Sequence, residues 1–246
     1  MKKLKIGENI ISYKEHKFEG SKHTILFLHG LMSDMNGSKS TAIEEYAVKS
    51  KINYVAFDNL GHGSSSGEFI ENNISTWLSA TIDLIKELKL KNIILIGSSM
   101  GGWLAILISL IDIENIISLI LIAPAPDFTE DIKSKLTESE IGLLENGSII
   151  NSNYAFPISK KLLDAEGNLI LPKERIKINI PIIIIHGMED SEVDSRISEI
   201  LTKKIISPYI CTKYVKHGNH RLSTNHDIRL IIHSIDELMN YTKSDN

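Results

Sequence analysis

Ile93-Ile94-Leu95-Ile96-Gly97-Ser98-Ser99-Met100-Gly101-Gly102-Trp103-Leu104-Ala105 decides the fold of this 246-residue chain. A short unbroken apolar run is the pattern of a strand buried on both faces, and the residues from Gly102 onward suit a helix. Between them stands Gly97-x-Ser99-x-Gly101, so a serine occupies a sharp strand-to-helix turn. Such a turn lifts the hydroxyl clear of the backbone, and the flanking glycines let the chain fold back without a Cβ clash. Ser99 is therefore expected to be a nucleophile. Serine alone is a poor one, so a base and an orienting acid must come from elsewhere in the chain.

Outward from this turn, strand and helix patterns alternate. Ile10-Ile11-Ser12-Tyr13 and Thr24-Ile25-Leu26-Phe27-Leu28 read as early strands, the second ending at His29-Gly30. After a turn at Asp34 to Gly37, Ile43, Tyr46 and Ala47 recur at helical spacing as far as Ser50. Tyr54-Val55-Ala56-Phe57 is the next strand, and the Gly/Ser-rich stretch from Asp58 to Gly67 reads as a loop on the serine's edge, too poor in large residues to be core. Trp77, Leu78, Ile82, Leu84, Ile85 and Leu88 mark a second helix. Ser118 to Ala123 is another strand, stopped by Pro124-Ala125-Pro126. The period then weakens, and residues 128–175 read as a lid or cap insertion carrying Ile132, Leu136, Ile141 and Leu144 at helical intervals. Pro181-Ile182-Ile183-Ile184-Ile185 resumes the central sheet, Val193 to Ile206 is helical, and an apolar face from Ile228 to Met239 forms a last helix. Thr224-Asn225-His226-Asp227 opens that helix with a capping box. The expectation is a single α/β domain over residues 1–246: a mostly parallel central sheet covered by helices on both faces, with a small lid insertion.

In such sheets functional groups collect beyond the carboxyl ends of the strands. Asp190 lies in the turn after the strand ending at Ile185, and His217 and His220 lie in the turn after the strand ending near Val215. Ser99, Asp190 and His220 thus follow three different strands in the order nucleophile, acid, base. His220 is the expected general base and Asp190 the acid that holds its tautomer. His217 is a competing base and Asp127, just past the Ser118 to Ala123 strand, a competing acid. The backbone N–H groups of Leu31 and Met100 are the natural donors to an oxyanion, because one follows His29-Gly30 and the other follows the nucleophile. Met32, Met188, Phe128, Tyr154 and Phe156 are candidates to line an acyl pocket. Glu189 and Glu192 read as solvated, and His29 and His62 as histidines that fix loops. This chemistry calls for no cofactor, and no metal site is expected from His186, Asp190, His217 and His220.

The formal net charge of −4 comes with no basic stripe, which argues against a nucleic-acid partner. Met1-Lys2-Lys3-Leu4-Lys5 is basic but leads into no apolar signal core, and no apolar stretch is long enough for a stable membrane anchor. Cys211 is the single cysteine and reads as a small core hydrophobe on a strand. Together with the abundance of Ile, Lys and Asn, these features suggest a bacterial cytoplasmic protein; its oligomeric state is not encoded in any pattern here.

Phe27-Leu28-His29-Gly30, Met35-Asn36-Gly37, Gly97 to Leu104, His186-Gly187-Met188 with Asp190, and Lys216-His217 with His220-Arg221 resemble the α/β-hydrolase superfamily. Within it, they are most similar to the mitochondrial palmitoyl-protein thioesterase branch, abhydrolase domain-containing protein ten, with its bacterial relatives. The resemblance implies cleavage of long-chain acyl thioesters and of acyl-glucuronide esters, with nucleophile, acid and base on Ser99, Asp190 and His220. The segment 128–175 matches that branch least. The expected function is hydrolysis of carboxylic esters or thioesters through a Ser99 acyl-enzyme. The alternatives are a non-catalytic receptor or scaffold on the same fold, or a triad hydrolase acting on another bond such as carbon–carbon.

Overall fold

A computed structural model describes residues 1–111, 114–151 and 155–244. Its centre is an eight-stranded sheet. The strands in chain order are β1 (Lys2–Ile6), β2 (Asn9–His16), β3 (Thr24–Leu28), β4 (Asn53–Phe57), β5 (Ile93–Ser98), β6 (Ile116–Ile122), β7 (Ile176–Lys177), β8 (Ile182–Gly187), β9 (Ile205–Ile206) and β10 (Ile210–Val215). The central sheet runs β1-β2-β4-β3-β5-β6-β8-β10, while β7 and β9 form a separate parallel pair. From β4 across to β10 every pairing in the central sheet is parallel; β1 and β2 form an antiparallel hairpin on one edge, and β2 joins β4 antiparallel.

That hairpin departs from the sequence reading, which takes Lys2 to Lys5 only as a basic start. The alternation Lys3-Leu4-Lys5-Ile6 has period two, and Leu4 and Ile6 are the side chains that pack against the core. Gly7, at φ +58°, makes the turn into β2.

The helices are α1 (Ser38–Ser50), α2 (Ile74–Glu87), α3 (Met100–Leu110), α4 (Phe128–Lys135), α5 (Glu138–Glu145), α6 (Arg196–Lys204) and α7 (Asn225–Ser244). The apolar runs of the inner strands serve two cores at once. Leu26, Leu95, Leu119, Leu121, Ile182 and Ile184 face one core with Trp77 of α2 and Trp103 of α3. Ile25, Ile94, Ile96, Ile120, Ile183 and Ile185 face the other with Ile43 of α1 and Ile231 and Ile235 of α7. A strand covered on both sides has no polar face, which is why these segments read as continuous rather than alternating. The Thr224–Asp227 capping box is formed: each residue's side chain accepts the other's backbone N–H, at 3.3 and 3.0 Å. Cys211 is half-buried against the second core, not enclosed within it.

Between β6 and β8 the chain leaves the sheet and builds a satellite cluster of Leu144, Ile150, Ile158 and Leu163, packed by Ile132, Leu136 and Phe156. Polar stitches fasten this excursion down. The Asp127 carboxylate accepts the N–H groups of Ile170 (2.8 Å) and Leu171 (2.7 Å), Trp103 Nε1 donates to the Asn168 carbonyl (3.0 Å), and Ser159 Oγ donates to the Ile70 carbonyl (2.6 Å). No helix among the described residues is long and apolar enough to cross a membrane.

Candidate active site

Ser99 sits between β5 and α3 with φ 55° and ψ −118°, a backbone region that L-residues rarely occupy. The surroundings hold it there. Its N–H donates to the Ile122 carbonyl (2.9 Å), and its own carbonyl accepts from Gly102 (2.8 Å) and Ala125 (3.1 Å). The flanking glycines are required by close approach: a Cβ on Gly97 would fall 2.1 Å from the Gly101 carbonyl oxygen, and one on Gly101 2.2 Å from that of Leu28. Strand β3 lies beside β5 with Leu28 opposite Gly97, so the chain leaving β3 passes the serine directly, and a Cβ on Gly30 would stand 3.1 Å from Ser99 Cβ.

The peptide after Gly30 is oriented by a histidine. His29 is enclosed; its Nδ1–H donates to the Gly30 carbonyl (2.7 Å) and its Nε2 accepts the Asn59 N–H (3.0 Å), a pair of bonds that fits only the neutral ring. Burial pulls its pKa down to about 4, against the opposing bond to Gly30. A trans peptide sets N–H opposite C=O, so the Leu31 N–H points away from the His29 ring. It has no hydrogen-bond acceptor among the described residues. The Met100 N–H, first in α3, likewise lacks an acceptor one turn back.

The loops carrying Asp190 and His220 are knitted together at the ends of β8 and β10. Glu189 N–H donates to the Gly218 carbonyl (3.0 Å) and Met188 N–H to that of Val215 (2.9 Å), and a Cβ on Gly187 would fall 2.2 Å from the Gly218 oxygen. This brings Asp190 and His220 together. His220 Nε2 lies 2.9 Å from Ser99 Oγ and its Nδ1 lies 2.7 Å from Asp190 Oδ2. The Asp190 side chain is wholly buried and that of His220 13% exposed. Burial alone would raise the Asp190 pKa, but donors from His186, His220 and the Val193 N–H outweigh it and hold the carboxyl well below the usual carboxylate range. Such an arrangement can draw a proton from a hydroxyl and steady the cation that forms.

The competing residues are placed elsewhere. Asp127 spends its carboxylate on Ile170 and Leu171, and burial raises its pKa despite those bonds. His217 pairs at the surface with Glu189 (2.7 Å). Glu192 is mostly solvated, yet its Oε2 comes within 3.8 Å of His220 Nε2. Met32 and Met188 are more than half exposed. Phe128 packs edge-on against Trp103 (5.6 Å between ring centroids) and Phe156 edge-on against Phe69 (6.1 Å). Tyr154 lies outside the described residues. Two clefts, of about 580 and 560 Å³, lie away from Ser99, the first lined by Lys17, Lys22, Lys89 and Lys91 among others.

The loop after β4 corrects the sequence reading. Asp58, Asn59, Leu60 and His62 are all buried, because Asp58 turns inward to accept the Met35 and Ser64 N–H groups, both at 2.8 Å. A side chain's burial there is decided by long-range backbone donors, which a count of large residues does not register.

Residues 25–167 match the alpha/beta hydrolase family. The chain belongs to that family. It is 30% identical over 241 residues to "Palmitoyl-protein thioesterase ABHD10, mitochondrial" of Homo sapiens, covering 93% of this chain and 76% of the relative. Among solved structures, the mouse alpha/beta hydrolase domain-containing protein 10 superposes with a TM-score of 0.88 at 29% identity over 98% of each chain. A putative hydrolase from Agrobacterium vitis S4 does so with 0.87 at 27% over 96% of each. The sequence resemblance to the α/β-hydrolases and to the palmitoyl-protein thioesterase branch therefore holds over nearly the whole chain, and this kinship supports hydrolase activity.

Proposed function

We propose that this alpha/beta hydrolase is a serine hydrolase cleaving carboxylic ester or thioester bonds through a Ser99 acyl-enzyme. The observation that carries the proposal is the unbroken chain of contacts from Ser99 Oγ through His220 to Asp190. His220 Nε2 takes the hydroxyl proton as Oγ attacks the acyl carbon, and returns it to the departing thiol or alcohol. Asp190 keeps the proton of the resting ring on Nδ1 and stabilises the imidazolium. The Leu31 and Met100 N–H groups donate to the oxyanion, and water, activated by the same histidine, then releases the acid. Thioesters enter through the human relative's name, and an apolar acyl group through the exposed Met32 and Met188 on the loops that follow β3 and β8. Residues 128–175 serve as the lid that shapes the acyl side. The Ile-, Lys- and Asn-rich composition supports a bacterial cytoplasmic setting, in contrast to the mitochondrial one in that relative's name.

The test is pre-steady-state turnover of activated acyl esters and thioesters of graded chain length. A burst equal to the enzyme concentration is expected, with Ser99→Ala losing at least about a thousandfold in kcat. Labelling of the native protein, but not of Ser99→Ala, by a fluorophosphonate accompanies it. Equal turnover in the variant would remove Ser99 from the reaction; a protein that takes no label is a receptor rather than an enzyme.

A further inference from the structure

His186 is not among the triad residues expected from sequence, yet it is fully buried at the end of β8, against the acid. Its Nε2 faces two groups that can only accept, Asp190 Oδ2 at 3.1 Å and the Val193 carbonyl at 3.2 Å. The proton therefore resides on Nε2. The buried Ser198 hydroxyl of α6, which can donate or accept, lies 2.6 Å from Nδ1 and holds the other side of the ring. The ring is held at both nitrogens and cannot turn without orphaning a buried group.

Its donor falls on one particular oxygen. Asp190 Oδ1 accepts the backbone N–H groups of Glu192 (2.9 Å) and Val193 (2.8 Å), whereas Oδ2 accepts His220 Nδ1–H and His186 Nε2–H. Those donors fill the lone-pair positions of a carboxylate. We propose that His186, locked by Ser198, is a positioning residue of the triad: by sharing Asp190 Oδ2 with His220 it fixes that oxygen and limits how strongly it holds the His220 proton. The inference rests on the serine-hydrolase reading above.

Two effects follow when the shared donor is lost. Oδ2 is freed to move about the hinge held at Oδ1, and its charge, no longer dispersed over a second N–H, pulls harder on His220 Nδ1–H. Charged groups near the pair among the described residues include Glu192, whose Oε2 lies 3.8 Å from His220 Nε2, and Asp194 near His186. Neither donates to Oδ2, so neither replaces His186.

The experiment compares wild type with His186→Phe, which keeps a ring but no donor, His186→Gln, which can return an amide N–H toward Asp190, and Ser198→Ala, which touches neither Asp190 nor His220. Rates are normalised to fluorophosphonate-titrated sites, and imidazole N–H resonances are recorded by NMR. His186→Phe is expected to lower kcat about three- to tenfold with KM within about twofold, and to move the acidic limb of kcat/KM upward by about half a pH unit. Its downfield His220 Nδ1–H resonance moves further downfield. His186→Gln restores most of both, and Ser198→Ala moves them in the same direction by less. An unchanged limb and an unchanged resonance in both His186→Phe and Ser198→Ala would overturn the proposal, whatever happens to thermal stability. Absence of label on the wild type overturns the serine-hydrolase reading instead, and the resonance shift still reports the His186–Asp190–His220 coupling without turnover.

Discussion

Ser99, the proposed nucleophile, holds its place at a conformational cost. At φ 55° and ψ −118° its backbone lies where a non-glycine residue is strained by about 1–3 kcal/mol. A glycine there is free of that strain but loses more entropy on folding, by roughly 0.5–1 kcal/mol relative to alanine. The strain is the larger quantity. Ser99→Gly is therefore expected to be more stable than Ser99→Ala by about 1 kcal/mol, although both lack the hydroxyl that the proposed reaction requires. Thermal denaturation of the two variants side by side checks this; equal midpoints would mean that the turn is not strained. The pattern Gly97-x-Ser99-x-Gly101 makes this residue legible from sequence, because the glycines are needed for backbone approach and the serine is what the proposed chemistry needs. His186 is not legible in the same way. In sequence it belongs to the His186-Gly187-Met188 motif without a role of its own, and only the placement of Asp190 Oδ2, Val193 and Ser198 around its two nitrogens suggests one.

At the level of elements, most strands and helices can be read because the inner strands are apolar throughout and the helices between them carry one apolar face. β1 escapes that reading, since its charged positions dominate and its pairing with β2 depends on a turn at Gly7. The excursion after β6 is the least legible part, and the reason is physical. It is fastened less by a periodic apolar face than by side chains reaching backbone groups far along the chain, of which Asp127 is the clearest. Asp127→Ala leaves the Ile170 and Leu171 N–H groups without their acceptor. Each such loss costs about 1–3 kcal/mol while the group stays buried, offset in part by water entry and by removal of a buried carboxyl whose pKa burial raises. A net loss of about 2 kcal/mol is expected. Amide hydrogen exchange should show faster exchange at Ile170 and Leu171, with β5 and β8 still protected. The same variant decides between the two candidate acids: Asp127→Ala should keep its rate of fluorophosphonate labelling, and Asp190→Ala should lose most of it. The reverse pattern would transfer the acid's role to Asp127.

Over the whole molecule, burial keeps two histidines, His29 and His62, neutral, which ties stability to pH. His29 and His62 lie with ring centroids 5.0 Å apart, and His62 also meets the edges of Phe69 and Trp77. Burial pulls both pKa values down to about 4, with the neighbouring His29 adding to the effect on His62. In the unfolded chain both titrate near 6.5. Between about 4 and 6.5 the unfolded state therefore binds more protons than the folded one, so stability rises with pH across this window. Their contribution is complete above about 6.5 and is lost as pH falls toward 4, by up to roughly 3 kcal/mol for each histidine. Asp190, whose pKa is depressed, adds a further loss only at more acidic pH, whereas Asp127, whose pKa is raised, works in the opposite sense. The midpoint of thermal unfolding should accordingly fall steadily from about pH 7 to about pH 4.5. His62→Gln should flatten that slope by about half, because an amide side chain has no proton to gain on unfolding and the ring of His62 supports no bond to Ser99, Asp190 or His220. A slope that survives in His62→Gln and in His29→Gln alike would place the acid sensitivity outside this pair, and the neutral state of His29 would then have to be secured by its bonds to Gly30 and Asn59 without a measurable share in the stability of the fold.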